Sequence, residues 1–464
     1  MRTLEKLLII LNGLLASLLA LQRWTAVRRL RLPTLLLAGL QLLLTAVHWR
    51  REKARWQMIP TYLLTAVSLP LLGWQMVLHW WGLAALGLAT AGGALLPILL
   101  PVPRLPRPSG PYAIGTHIFY VTDPQRQEVY SDDPTDKRQL LVQVWYPAQK
   151  PKNGRLSPYV PYFDVMLPAI MRRFGLPPFI FTHMKLTRTH SWLDAPILPS
   201  ERPFPVIAFS HGWMSIGTQS TAMMEELVSQ GYVVVSTQHT YGALLTVLPD
   251  GRLAPAADPK IHVPDGNILT AGAKLLDYWA DDIRTVLRHL DGWHADPAHR
   301  FYGRLQLDQI GIIGHSAGGG AVVQFAATDP RCAAVLALDP WLEPLPLQTA
   351  DHSFTMPIFI MQSDTTFAQE NLPNGHYLLH TVNAPGYYLH IPHSGHYDFS
   401  DIPLMTAITR TLNGRGKVKG DAIVQMVNEY TRCFFDYHLL QISPTLFPNG
   451  RPQQLPSEFQ IYNS

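Results

Sequence analysis

The sequence predicts an α/β fold with a mostly parallel sheet, preceded by a block of N-terminal transmembrane helices. Three observations predict it. From residue 205 onward, short apolar runs alternate with stretches of helical spacing. A Gly-x-Ser-x-Gly turn sits between one such run and the helix that follows it. Ahead of both, one run of 48 residues, 56–103, contains no Asp, Glu, Lys or Arg.

The N-terminal block explains the composition. The chain has 464 residues, 47% of them apolar and only 15% charged, against about 25% charged in an ordinary soluble domain. Lys6 and Arg23 bracket 16 uncharged residues, and Arg31 and Arg50 bracket 18. A bilayer core takes about 20 apolar residues per helix. The 48-residue run is therefore long enough for two spans, with a turn near His79, Trp80, Trp81 and Gly82. The expectation is three to four transmembrane helices in residues 1–103 and a multi-pass integral membrane protein. The first segment is open between a span, an uncleaved signal-like segment and an interfacial helix. With four spans, one side carries eight Lys and Arg (Arg2, Lys6, Arg50, Arg51, Lys53, Arg55, Arg104, Arg107) and the other four (Arg23, Arg28, Arg29, Arg31). That count puts the catalytic part in the cytoplasm. It changes if the first segment does not span, so the side stays open. The spans carry no mid-span ionisable residue, which points to an anchor and not a transporter.

A Pro-rich linker follows at residues 104–110, within Pro97–Pro111, where proline stops helices and stiffens the chain. Residues 111–445 are expected to form the catalytic domain and 446–464 a C-terminal tail. Net charge is +4 with no basic run, which excludes nucleic acid as a partner. The two cysteines, Cys332 and Cys433, form neither a disulfide framework nor a metal spacing. No metal is expected, and the oligomeric state is not readable.

The expected strands are Val206–Phe209, Tyr232–Val235, Ile310–Ile313, Ala334–Leu338, Ile358–Met361 and Tyr387–Ile391. The expected helices are Ser220–Ser229, the stripe Trp279, Ile283, Val286, Leu287 and Leu290, and Ala317–Ala327. Unbroken apolar strands separated by helices mean a parallel sheet covered on both faces. Ligands of such sheets bind at the carboxyl ends of the strands.

The chemistry-bearing motifs all lie there. Gly314-His315-Ser316-Ala317-Gly318 has the strand-turn-helix context of a nucleophile elbow, with Ser316 at a helix N-terminus that favours a developing oxyanion. Ser210-His211-Gly212-Trp213 follows the Val206 strand, and this loop is expected to complete an oxyanion hole from the N–H groups of Trp213 and Ala317. The nucleophile needs a base and the base an orienting acid, in the order Ser, acid, His. His396 follows the last strand and a glycine, with His393 as its rival. Other histidines, such as His239 and His376, read as ordinary polar or surface residues. Asp339 ends the Ala334 strand, and Asp364, the alternative acid, ends the next. Asp308 reads as a turn residue. The aromatic, proline-rich stretch Arg155–Trp192, with Arg172, Arg173, Lys185 and Arg188, is expected to form either a cap with a basic rim for a lipid surface or an ordinary insertion packed on the core.

On these motifs the chain resembles the platelet-activating-factor acetylhydrolases of the plasma and type II group, within the α/β-hydrolase superfamily. The matching pieces are Gly110-Pro111-Tyr112 with Gly115, Val144-Trp145-Tyr146-Pro147, Phe209-Ser210-His211-Gly212, Ile313 through Gly319, Ala337-Leu338-Asp339-Pro340-Trp341, Ser394-Gly395-His396, and a late stretch from Leu412 to Leu439. The resemblance covers about residues 110–440. It implies an α/β-hydrolase fold and a calcium-independent ester hydrolase without a cofactor. It implies lipid-ester substrates, phospholipids with short or oxidised acyl chains, and it favours Asp339 as the acid. Ala317 stands where the animal enzymes carry a bulky aromatic, which bears on acyl-chain selectivity. Two further readings stay open: a general carboxylesterase or polyester-type hydrolase, and a non-catalytic membrane-tethered binding protein of the same fold.

Overall fold

A computed structural model describes residues 1–25, 31–73, 80–173, 175–263, 266–346, 354–406, 408–409, 414–442 and 459–462. They form two compact units. One comprises Met1–Arg104 with Leu176–Thr187 and Met405–Thr409; the other holds the remainder of the chain.

The first unit is helical: α1 (Thr3–Thr25), α2 (Arg31–Arg51), α3 (Ile59–Gly73) and α4 (Trp80–Leu99). Among the described residues, Thr3–Leu21 and Leu32–Arg51 are long and apolar enough to cross a membrane, while the apolar part of α4, Ala84–Leu99, is shorter. The first segment, short by its uncharged run, thus gains length by extending its helix past Lys6 and Arg23. The expected turn at His79, with Arg28 and Arg29, lies outside the described residues. Trp80, Trp81 and Gly82 instead open α4. Polar side chains tie these helices together. Gln41 donates to Asn12 and, at 2.8 Å, to Thr65, and Asn12 donates to Thr61 O at 3.1 Å. Near the helix ends, Arg55 pairs with the buried Glu5 at 2.5 Å. Leu176–Thr187, part of the stretch expected as a cap, joins this unit. Phe179 meets Trp56 edge to face, and Gln57 donates to Ile180 O at 3.1 Å and bonds His183 at 2.7 Å. Phe174 lies outside the described residues.

The second unit is the α/β fold. Its elements run β1 (Ala113–Gln127), β2 (Lys137–Ala148), β3 (Leu156–Pro158), α5 (Phe163–Arg173), β4 (Arg188–Leu193), β5 (Phe204–Ser210), α6 (Thr221–Ser229), β6 (Val233–Gln238), β7 (Leu245–Val247), β8 (Leu253–Pro255), α7 (Ile268–Ala295), β9 (Leu305–His315), α8 (Ala317–Thr328), β10 (Cys332–Leu338), β11 (Ile358–Gln362), α9 (Thr366–Thr381), β12 (Gly386–His390), α10 (Gly420–His438) and β13 (Phe459–Tyr462). Eleven strands form one sheet in the order β13-β12-β11-β10-β9-β5-β6-β2-β1-β4-β3. The run from β6 to β12 is parallel. The β1–β2 hairpin joins it through an antiparallel β2–β6 pairing.

All six expected strands are present. Alternate residues of β9 face opposite ways. Ile310 and Ile312 enter the core formed with α7 and α8, whereas a Cβ at Gly311 would meet Phe435 of α10. The sheet is thus covered on both faces, which places its polar strand ends as the open edge. Two expectations need correction. Phe459–Tyr462, assigned to a tail, pairs with β12 as an edge strand. Asp308, read as a turn residue, lies within β9 and is exposed, because the strand begins at Leu305, before its apolar stretch. Cys332 and Cys433 are separate buried thiols.

Candidate active site

Ser316 stands between β9 and α8 with φ 58° and ψ −122°. Such a left-handed backbone costs on the order of 1–3 kcal/mol and persists only where neighbours hold it. Here its N–H donates to Leu338 O at 3.0 Å, and its carbonyl accepts from Trp341 N–H at 2.9 Å and Gly320 N–H at 3.2 Å. The glycines permit the close approach. A Cβ at Gly314 would lie 2.1 Å from Gly318 O, and one at Gly318 would lie 2.3 Å from Ser210 O. Ser316 itself is half-buried between fully buried neighbours.

His396 opens a short 3-10 turn, His396–Phe399. Its Nδ1 bonds Asp339 Oδ2 at 2.6 Å. Asp339, just past β10, is fully buried. Its carboxylate also accepts from Ser363 N–H at 2.8 Å and Ser363 Oγ–H at 3.0 Å. A carboxylate so supplied with donors fixes Nδ1 of His396 as the protonated nitrogen and leaves Nε2 as the acceptor. The His396 carbonyl in turn accepts from His315 Nε2 at 2.9 Å, and the two rings lie 4.6 Å apart. Burial, and then the neighbouring His396, push His315 down to about 3, so it stays neutral. Phe367 packs edge-on against His396 at 4.8 Å. Asp398 accepts from Gly395 N–H and Gly416 N–H at 2.8 and 3.0 Å and so pins the loop that carries His396.

The rivals lie elsewhere. Asp364 accepts from His390 Nε2 and His393 N–H, each at 2.9 Å. The His393 side chain is 73% exposed. The structure therefore pairs His396 with Asp339 and leaves Asp364 with the surface histidines.

A Cβ at Gly212 would lie 3.2 Å from Ser316 Cβ, so the Ser210–Trp213 loop passes directly beside the serine. Trp213 follows Gly212, and Ala317 follows Ser316 as the first residue of α8. The two amides expected in the oxyanion hole are thus each one residue from that contact. Trp213 is 42% exposed.

The sequence reading missed what lies behind this loop. His239, read as an ordinary polar or surface residue, is fully buried, as are Ser210, His211, Asp282 and Arg138. His239 Nε2 bonds Ser210 Oγ and its Nδ1 bonds Asp282 Oδ2, both at 2.9 Å. Arg138 grips Asp282 with Nε at 2.9 Å and Nη2 at 2.6 Å, and Arg126 adds a third contact at 2.7 Å. Despite complete burial, these cations hold the Asp282 carboxyl far below its usual range. A signal was present. Asp282 lies three residues after Trp279 and four before Val286, on the apolar stripe of α7, and a carboxylate there needs buried cationic partners. Among the described residues, no group of three His, Cys, Asp or Glu side chains is arranged to hold a metal ion.

Known proteins are similar to this chain in sequence and in fold. The family model described as platelet-activating factor acetylhydrolase, isoform II, matches residues 100–254 and 290–442. A platelet-activating factor acetylhydrolase of Cavia porcellus is 23% identical over 357 residues, covering 72% of this chain and 78% of the relative. A protein of Arthroderma benhamiae, described as a probable 1-alkyl-2-acetylglycerophosphocholine esterase, is 22% identical and covers 51% of this chain and 58% of its own length. In fold, the chain is similar to a ferulic acid esterase from Streptomyces cinnamoneus, with a TM-score of 0.62 at 23% identity over 78% of this chain and 99% of that one. With 308 of its 464 residues inside the family model (155 in the first block, 153 in the second), this chain belongs to the isoform II family of platelet-activating factor acetylhydrolases.

Proposed function

We propose that this carboxylic ester hydrolase cleaves lipid esters through Ser316, His396 and Asp339, and that its substrates are phospholipids with short or oxidised acyl chains. The observation that carries the reading is the 2.6 Å His396–Asp339 bond, taken with Ser316 held strained and half-buried on the elbow between β9 and α8. His396 Nε2 takes the Ser316 proton as the hydroxyl attacks the ester carbonyl. The Trp213 and Ala317 N–H groups hold the tetrahedral oxyanion. The alcohol departs with the proton from His396, leaving an acyl-enzyme, and a water activated by the same histidine releases the acid. Every step uses side chains and amides of this chain, with no cofactor.

The helical unit supports a lipid substrate, because two of its helices are long and apolar enough to cross a bilayer. Leu176–Thr187 belongs to that unit and carries Phe179, which is 56% exposed. In this reading the first unit anchors the enzyme and this segment lies at the lipid surface, with Lys185 near its end. Hydrolysis of a panel of phospholipids and simple soluble esters by the purified full chain tests the substrate class. Preference for short or oxidised chains at the second position of a phospholipid supports it; equal or better turnover of simple esters, with phospholipids ignored, favours a general carboxylesterase.

A further inference from the structure

Each polar backbone group of Gly212 has a partner inside the protein. Its N–H donates to Gln219 Oε1 at 3.1 Å, and its carbonyl accepts from His211 Nδ1 at 2.7 Å. A trans peptide points its C=O and N–H in opposite directions. Holding the Gly212 carbonyl against the buried His211 ring therefore turns the Trp213 N–H away from the core. Among the described residues that N–H has no partner in the protein, so it is free for a ligand.

What holds His211 is His239. The His239 backbone N–H donates to His211 Nε2 at 3.0 Å, so Nδ1 of His211 must carry the proton that Gly212 receives. The His239 side chain then fixes the other end of the loop. Its Nδ1–H faces Asp282, which leaves Nε2 to accept from Ser210 Oγ–H. The ring lies flat on Trp279, with centroids 4.2 Å apart and planes at 3°. Burial first of all keeps both histidines neutral, with His211 pushed down to about 3. One residue thus touches both Ser210 and His211, the two residues that lead into the oxyanion loop.

We infer that His239, oriented by Asp282, is a positioning residue for the reaction: through Ser210 and His211 it sets the Gly212–Trp213 peptide so that the Trp213 N–H meets the developing oxyanion. The inference rests on the catalytic reading of Ser316 given above. Removing an oxyanion donor outright typically costs 10²–10³ in turnover. Loosening its support costs less, on the order of tenfold by the same scale.

The test uses the full chain with Ser210→Ala, which deletes only the hydroxyl, and His239→Asn, which keeps a donor for Asp282 near the Nδ1 position but cannot reach Ser210. Active sites are counted with a fluorophosphonate, turnover is expressed per labelled site on a soluble ester, and affinity is measured for a boronic acid, which mimics the tetrahedral state. Both variants are expected to lose about tenfold in kcat with KM within twofold, and to lose boronate affinity by the same factor. Ser210→Thr, which restores a hydroxyl, is expected to recover most of both losses. If kcat per labelled site and boronate affinity stay at wild-type values while only the melting temperature or labelled fraction falls, His239 is merely structural and the inference is overturned. Failure of the underlying reading looks different: the wild-type chain would not label at Ser316 at all.

Discussion

Two sets of serine, histidine and aspartate have their serines at the ends of neighbouring strands, and in the proposed reading only one of them reacts. Ser210 ends β5 and Ser316 follows β9, which pairs with β5. The histidine–aspartate bonds are alike, 2.9 Å for His239–Asp282 and 2.6 Å for His396–Asp339. The surroundings differ. Ser210, His239 and Asp282 are fully buried, and two arginines hold the Asp282 carboxylate. Ser316 is half-buried on a left-handed turn, His396 is 20% exposed, and Asp339 is fed by Ser363 rather than by a cation. In that reading, the hydrogen-bond pattern of a triad is not by itself sufficient for nucleophilic chemistry. A nucleophile needs an approach path for substrate and a base free to become charged during the step, and a histidine sealed between an arginine-locked carboxylate and an indole has neither.

The comparison is broken most directly at the two serines. Ser316→Ala is expected to lower kcat by on the order of 10⁶, as loss of the nucleophile does in serine hydrolases, against about tenfold for Ser210→Ala on the oxyanion scale. A fluorophosphonate should label the wild-type chain once, at Ser316, and leave Ser316→Ala unlabelled. A retained label at Ser210 would mean that burial does not silence the second set.

The two acids that competed in the sequence give the next largest effect. Asp339→Asn keeps shape while removing the charge that holds the His396 tautomer. It should cost on the order of 10⁴ in turnover, by analogy with a serine protease. Asp364→Asn changes a carboxylate that meets His390, the His393 N–H and, at 3.8 Å, the exposed His393 ring, and should stay within about twofold, since surface pairs contribute little. Kinetics of the two variants on one soluble ester decide this, and a crippled Asp364→Asn would move the acid to the next strand.

How much of this was legible follows from what sequence patterns encode. Strands buried on both faces read as unbroken apolar runs, so β5, β6 and β9–β12 were visible. The glycines around Ser316 were visible because close backbone approach excludes a Cβ. The hairpin β1–β2, with strands of fifteen and twelve residues, was not read, because one end of β1 mixes charges and a proline into the run (Asp123-Pro124-Gln125-Arg126). β13 was not read because a four-residue edge strand has no periodicity of its own. The network behind the Ser210–Trp213 loop was invisible for a different reason. Arg138, His239 and Asp282 lie far apart in sequence and meet only through the β2–β6 pairing and the packing of α7. One histidine among nineteen carries no mark of burial.

The same network makes a prediction about stability. Asp282→Asn leaves Arg138 buried and short of a counter-charge, with Glu128 its remaining carboxylate at 2.8 Å. Breaking a buried pair by removing one partner costs about 3–5 kcal/mol. Denaturant unfolding of the full chain in detergent should register a loss of that size for Asp282→Asn. Asp364→Asn, at a half-exposed surface pair, should fall within about 1 kcal/mol of wild type. Equal losses would mean that the buried cations do not distinguish the two sites.

A third buried aspartate sharpens the point that partners, and not burial, set the charge. Asp401 is buried like Asp282, but among the described residues no cation pairs with it. Tyr159 OH donates to it at 3.1 Å, the Ala222 N–H lies 3.3 Å from both carboxylate oxygens, and the nearby Glu225 adds negative charge. Burial therefore pushes its carboxyl up to about 8, whereas the arginines drive Asp282 the other way. The sign of the linkage follows. Between about pH 4 and pH 8 the unfolded chain releases the Asp401 proton and the folded chain keeps it. Stability from this group is complete below the unfolded value and is lost as pH rises, by at most about 1.4 kcal/mol per pH unit, levelling off once pH passes the folded value. An asparagine at this position would be neutral throughout. Asp401→Asn should thus match wild type near pH 4 and become progressively more stable than it toward pH 8.5. The depressed values of His211 and His315 act in the opposite direction below about pH 6.5, but equally in both proteins, so the difference between the two curves isolates Asp401. Unfolding free energies measured from pH 4 to 9 check it, and parallel curves would show that Asp401 ionises in the folded protein as an ordinary carboxylate does.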